Sequence, residues 1–233
     1  MGLITASETA DTVSQIRDRV SLPLIVDGDT GFGNALNMQR TVRAFERAGA
    51  SAIQIEDQGF PKRCGHMAGK TVVSMAEAVG RVKAALDARE HMLVIARTDA
   101  VSVEGFDSAM ERAERFLEAG ADLIFVEGPR TLADTRRVGE VFGARAPLVH
   151  NLVEGGVTAT KEGVELEAMG FAVALHPLLL MHGFVKMAPG LLETLKANRS
   201  TVALEAEIAS LSDLNRITGA SSLVELGKHY DHS

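Results

Sequence analysis

Three stretches of this chain repeat one pattern, in which a helical segment ends at a glycine and an apolar run follows. They read ERAGASAIQIED from Glu46, LEAGADLIFVEG from Leu117 and EAMGFAVALHP from Glu167. Glycine takes the left-handed backbone that closes a helix, so each stretch predicts a helix, a tight turn and a buried strand. Helix–turn–strand in repetition is the mark of successive βα units and a parallel sheet. Six apolar runs qualify as strands: Leu22–Val26, Ser51–Ile55, Met92–Ala96, Ala121–Val126, Pro147–Val149 and Phe171–Leu175. Between the third and fourth, Ala109, Ala113, Phe116 and Leu117 fall on one helical face. The chain is 46% hydrophobic with only 4% aromatic residues and no Trp, so its core must be built from small aliphatics. Such a core suits parallel strands covered by helices.

Every run ends on polar residues: Asp27 and Asp29, Glu56 and Asp57, Arg97 and Asp99, then Glu127, Asn151 and His176. In a parallel barrel the strand C-termini share one rim, and these groups converge there. A doubly wound open sheet gathers ligands only at its switch point, so consecutive polar exits favour an α/β (β/α)8 TIM-type barrel. Exits from Asp27 to His176 follow one another at 29, 41, 30, 24 and 25 residues. The longest interval holds GFPKRCGHMAGK, Gly59 to Lys70, the expected functional loop. The expected domains are a barrel over 1–200 and a helical extension over 201–233. Helices are expected at 178–197, 203–211 and 221–229, with a linker at 198–201.

A net charge of −7 leaves no basic face for nucleic acid. The single Cys64 excludes an internal disulfide or a thiolate zinc cage. No secretory h-region opens the chain, and no apolar run approaches the roughly 20 residues of a membrane span. The expectation is a cytoplasmic protein without membrane or nucleic-acid partners.

Within VDGDTGFGN, Asp27 and Asp29 are two residues apart and on a strand would share a face. Close carboxylates repel unless a cation lies between them or one is protonated. With Glu56 from the next exit they form an oxygen-only set suited to Mg²⁺, or Mn²⁺. The competing reading is an ordinary Asp-Gly-Asp turn. Cys64 stands among Lys62, Arg63, Gly65 and His66, where cations favour thiolate and equip the sulfur for nucleophilic or acid–base work. Arg97 can grip a carboxylate with two parallel hydrogen bonds. Glu127 can balance Arg97 or move a proton, and Asn151 can hold a carbonyl or carboxylate oxygen. His91, His150, His229 and His232 are expected to be surface or locally hydrogen-bonded groups, while His176 and His182 are expected to line the bowl.

VDGDTGFGN, QIEDQ, PKRCGH, ARTDA, FVEG and NLVEGG follow one another in the order and approximate spacing of the isocitrate lyase/phosphoenolpyruvate mutase superfamily, which the chain resembles to about Pro177. The resemblance implies a Mg²⁺-dependent lyase that breaks a C–C bond in a small 2-hydroxy di- or tricarboxylic acid. It implies Asp27, Asp29 and Glu56 as metal residues and Cys64, Arg97 and Glu127 as catalytic residues. Lys62, Arg63, Gly65, His66 and Asn151 are implied as substrate contacts. The thiol-bearing loop is similar to that of lyases for methylisocitrate or dimethylmalate. A phosphonomutase, an oxaloacetate-processing enzyme and a degenerate scaffold are the alternatives. A homo-oligomer, a tetramer by resemblance, is expected. Three departures from the pattern stand out: Gly28 replaces the usual Ala, Ala159 replaces a Pro, and His182 stands where several lyases carry Arg. The last favours a smaller diacid. The family's first two βα units have no counterpart, so Met1 aligns with an interior position.

Overall fold

The computed structural model describes residues 2–63, 69–156, 159–160 and 162–231. All six expected strands form: β1 (Ile25–Asp27), β2 (Ala52–Glu56), β3 (Leu93–Thr98), β4 (Leu123–Val126), β5 (Val149–Asn151) and β6 (Val173–Leu175). β1 to β4 pair in parallel and in chain order, as do β5 and β6. A single bridge between Ile124 and Leu148 joins β4 to β5. Strands in sequential parallel order with helices between them make this an α/β architecture of the (β/α)-barrel type. β1, β4, β5 and β6 begin two or three residues after the start of their apolar runs, at Ile25, Leu123, Val149 and Val173; in β1 and β5 the skipped residues include Pro23 and Pro147, which have no N–H for the ladder.

The intervening helices are α1 (Ala6–Arg17), α2 (Ala35–Ala48), α3 (Met75–Ala88), α4 (Phe106–Glu118), α5 (Leu132–Phe142) and α6 (Gly163–Ala168). Side-chain oxygens of Thr5, Asn34 and Thr131 cap α1, α2 and α5, each reciprocated by the third residue of its helix. The three repeat glycines, Gly49, Gly120 and Gly170, all carry positive φ (99°, 101° and 91°), as the turn into a strand requires.

Side chains alternate across the sheet. Ile53, Val94, Ile124 and Leu148 pack with Met38, Val42, Phe45, Phe116 and Phe142 of the helices. On the opposite face Ala52, Ile95, Leu123, Phe125 and Val149 form a second, smaller cluster. Burial on both faces explains why the strands read as continuous apolar runs.

The chain divides into two compact units, Met1–Pro177 and Leu178–Ser233. The second contains α7 (Leu179–Asn198), α8 (Leu211–Thr218) and α9 (Ala220–Tyr230). α7 and α9 lie where periodicity put them. The helix expected at 203–211 is instead a 3-10 turn at Val202–Leu204, followed by α8, whose start is set by a capping box between Ser210 and Asp213. Among the described residues no helix is long and apolar enough to cross a membrane.

Candidate active site

The register of β2 and β3 sets Glu56 beside Arg97, and that pairing organises the strand tips. Asp27 ends β1, but Asp29 lies beyond it with φ 49°, a left-handed backbone rare for a residue other than glycine. The two aspartates therefore do not share a face through the pleat of a strand. Asp27 Oδ1 accepts the Asp29 N–H at 2.9 Å, and the Asp29 carbonyl accepts the Glu56 N–H at 2.9 Å. This Asx turn, stitched to β2, holds a conformation that costs on the order of 1–3 kcal/mol.

All three expected metal carboxylates converge on one point, which the Lys62 ammonium fills. Lys62 Nζ lies 2.6 Å from Asp29 Oδ1, 3.5 Å from Asp27 Oδ2 and 3.8 Å from Glu56 Oε1. Burial works against its charge, yet Asp27, Glu56 and Asp29 raise its pKa above the ordinary lysine value. Both Glu56 carboxylate oxygens are buried without a hydrogen-bond partner among the described residues. Burial pushes the Glu56 carboxyl up to about 8, against the attraction of Arg97 and with the repulsion of Asp99.

Arg97 is buried over the Phe125 ring, 5.1 Å from its centroid. Its guanidinium donates to Asp99 at 2.9 and 3.1 Å and lies 3.5 Å from Glu56 and 3.7 Å from Glu127. Burial opposes the ionised form of Asp99, but Arg97 and Lys70 together hold its carboxyl below the usual range. Lys70 reaches Asp99 at 3.0 Å. Asn151 Nδ2 donates to Glu127 at 2.9 Å, so these two expected rim residues also meet. Asp27, Asp29, Glu56, Asp99 and Glu127 are thus five carboxylates sharing Lys62, Lys70 and Arg97. The all-oxygen donor set of Asp27, Asp29 and Glu56 fits Mg²⁺ or Mn²⁺.

Cys64, Gly65 and His66 lie outside the described residues. Arg63 is held through its backbone, its N–H donating to Gln58 Oε1 and its carbonyl accepting from Gln58 Nε2, both at 2.9 Å. His176 pairs with Glu154 at 3.2 Å, and His182 belongs to the second unit. His150 corrects its expectation. It is neither a surface nor a locally hydrogen-bonded group, because it is buried against Phe171 and neither ring nitrogen has a hydrogen-bond partner among the described residues.

Several supporting groups carried weaker signals. Arg112, on the apolar face of α4, donates to Asp57 Oδ2 at 3.2 Å, to the Val73 carbonyl at 2.9 Å and to Glu104 at 3.0 and 3.1 Å. Arg81 of α3 donates to the Gln58 carbonyl at 2.8 Å. A cation on a helix face meant for the core was the available clue to both.

The phosphoenolpyruvate phosphomutase family model matches residues 1–188. 2,3-Dimethylmalate lyase of Eubacterium barkeri is 38% identical over 99% of this chain and 80% of its own length. 2-Methylisocitrate lyase of Aeropyrum pernix is 45% identical over 80% of this chain and 60% of the relative. The chain thus spans less than two thirds of that second enzyme. A solved 2,3-dimethylmalate lyase, described as a PEP mutase/isocitrate lyase superfamily member, superposes with a TM-score of 0.91 at 31% identity. The match covers 99% of this chain and 77% of the other. A phosphonopyruvate hydrolase solved with oxalate and Mg²⁺ superposes with a TM-score of 0.85 at 26% identity, covering 98% of this chain and 80% of the other.

Proposed function

The chain belongs to the phosphoenolpyruvate phosphomutase family, in the lyase branch of the isocitrate lyase/phosphoenolpyruvate mutase superfamily, and from that premise we propose that it cleaves a C–C bond in a small 2-hydroxy diacid with Mg²⁺. The observation that carries this reading is the convergence of Asp27, Asp29 and Glu56 on one cation seat beside Arg97. Bound there, Mg²⁺ would lower the pKa of the substrate hydroxyl and offset charge that develops in the reaction. Asp27, Asp29 and Glu56 would hold the cation, and Arg97 neutralises a substrate carboxylate while Asp99 orients its guanidinium fork. Asn151 offers an amide to an oxygen of the substrate, and Glu127 orients that amide.

In the reaction Glu127 takes the hydroxyl proton, and the oxygen becomes the carbonyl of a 2-oxo acid. The adjacent C–C bond breaks, and its electron pair passes to the other fragment as a carboxylate-stabilised enolate. Cys64 delivers a proton to that carbon, giving the second product. Lys62, Arg63, Gly65 and His66 make up the loop that contacts substrate. His182, in place of the family's Arg, supports a diacid over a tricarboxylate. A homo-oligomer in the cytoplasm completes the reading, in keeping with the apolar Leu180, Phe184 and Val185 exposed on α7.

The test is release of a 2-oxo acid from a panel of 2-hydroxy diacids, with and without Mg²⁺, using Cys64→Ser as control. Turnover should need the cation and fall by about 10²-fold or more in the variant. Undiminished turnover in Cys64→Ser removes the proposed proton donor, and turnover that ignores chelators removes the cation.

A further inference from the structure

The same residue that blocks the cation seat sits at the base of the functional loop. Lys62 places its ammonium within 3.8 Å of all three carboxylates, and 2.6 Å from Asp29, with only 16% of its side chain exposed. A divalent cation held by these carboxylates would occupy the space between them. It cannot share that space with an ammonium already in hydrogen-bond contact with one of them, and the two positive charges would repel strongly at such range. Occupancy is therefore exclusive.

We propose that Lys62 is a built-in competitor for the divalent cation, seated on Asp27, Asp29 and Glu56 when the cation is absent and expelled from them when it binds. The inference rests on the cation seat of the preceding section and adds to it a displacement. What moves is the lysine side chain, because Gln58 clamps the backbone of the next residue from both sides and is itself buried. Linkage makes the competition reciprocal: whatever draws Lys62 off the carboxylates raises cation affinity, and the cation in turn frees the ammonium. A substrate carboxylate is the natural acceptor for a released ammonium at this place. Cation and anionic substrate would then bind with positive cooperativity even without touching one another.

The experiment uses the full chain, with calorimetric titration of Mg²⁺ and Mn²⁺ into wild type and Lys62→Met. It adds amine acylation read by mass spectrometry, with exposed Lys186 as internal reference. Loss of a partly exposed competing ion pair should tighten cation binding in Lys62→Met by about tenfold. In wild type, Lys62 acylation relative to Lys186 should rise several-fold on adding Mg²⁺, and Asp29→Asn should raise it without cation. The labelling arm needs no Lys62 variant to fold. Equal cation affinity in both proteins, or Lys62 labelling indifferent to bound cation, overturns the displacement while leaving the seat intact. Failure of wild type and Lys62→Met alike to bind either cation overturns the seat itself, and the displacement with it.

Discussion

Arg112→Met should be among the most damaging single changes outside the reacting groups. Asp57 is buried at the end of β2, and burial pushes its carboxyl above the ordinary aspartate range. Its carboxylate accepts from Thr98 Oγ1 at 2.7 Å, from the Asp99 N–H at 2.9 Å and from Arg112 at 3.2 Å. Of these only Arg112 supplies a full positive charge. Removing it leaves a desolvated carboxylate uncompensated and strips donors from Val73 and Glu104, a loss of about 3–5 kcal/mol. At about 2–4 °C per kcal/mol for a chain of this size, the unfolding midpoint should fall by roughly 6–20 °C. With no Trp and one Tyr, far-UV circular dichroism in urea is the suitable assay. Asp57→Asn in the same background should cost much less than in wild type, with a coupling of roughly 1–3 kcal/mol. Effects that simply add, or an Arg112→Met loss under about 1 kcal/mol, would refute the claim that this pair ties β2, β3 and α4 together.

His150 predicts an acid-sensitive stability. Burial lowers its pKa from 6.5 to about 4, so the unfolded chain takes up its proton first. The stabilising contribution is complete above pH 6.5 and fades as pH falls toward 4, by up to about 3 kcal/mol. Urea midpoints of wild type and His150→Phe should diverge across that window and run parallel above it; parallel curves throughout would sink the assignment. Gly139→Ala on α5 should destabilise by about 3 kcal/mol or more, because an added Cβ would run into the Met169 carbonyl oxygen. A thermal midpoint within a degree of wild type would show that the two backbones can part freely.

The strands and their polar exits were legible because a parallel strand buried on both faces must be apolar throughout and turn polar where it leaves the sheet. What periodicity missed was decided by single groups. The Ser210 and Asp213 capping box moved a helix start past the apolar pattern around 203–211. Asp29 joins Asp27 through a left-handed turn rather than by alternation, which no count of spacing reveals. His150 shows no metal-ligand spacing and follows Val149, and only the packing of Phe171 tells that its ring is dry. Lys62 was legible as a loop cation and illegible as an occupant of the carboxylates, since that depends on where a long side chain can reach.

The single bridge between β4 and β5 gives the sheet a seam. β2 and β3 pair at five positions and β3 and β4 at four, whereas Ile124–Leu148 is the one pairing here among the described residues. Glu127 and Asn151 stand on opposite banks and are joined by one side-chain hydrogen bond. Amides along β5 should therefore exchange with solvent sooner than those of β3, by openings that part these two residues. A molecule that engages both would act as a stitch, slowing that exchange as it binds.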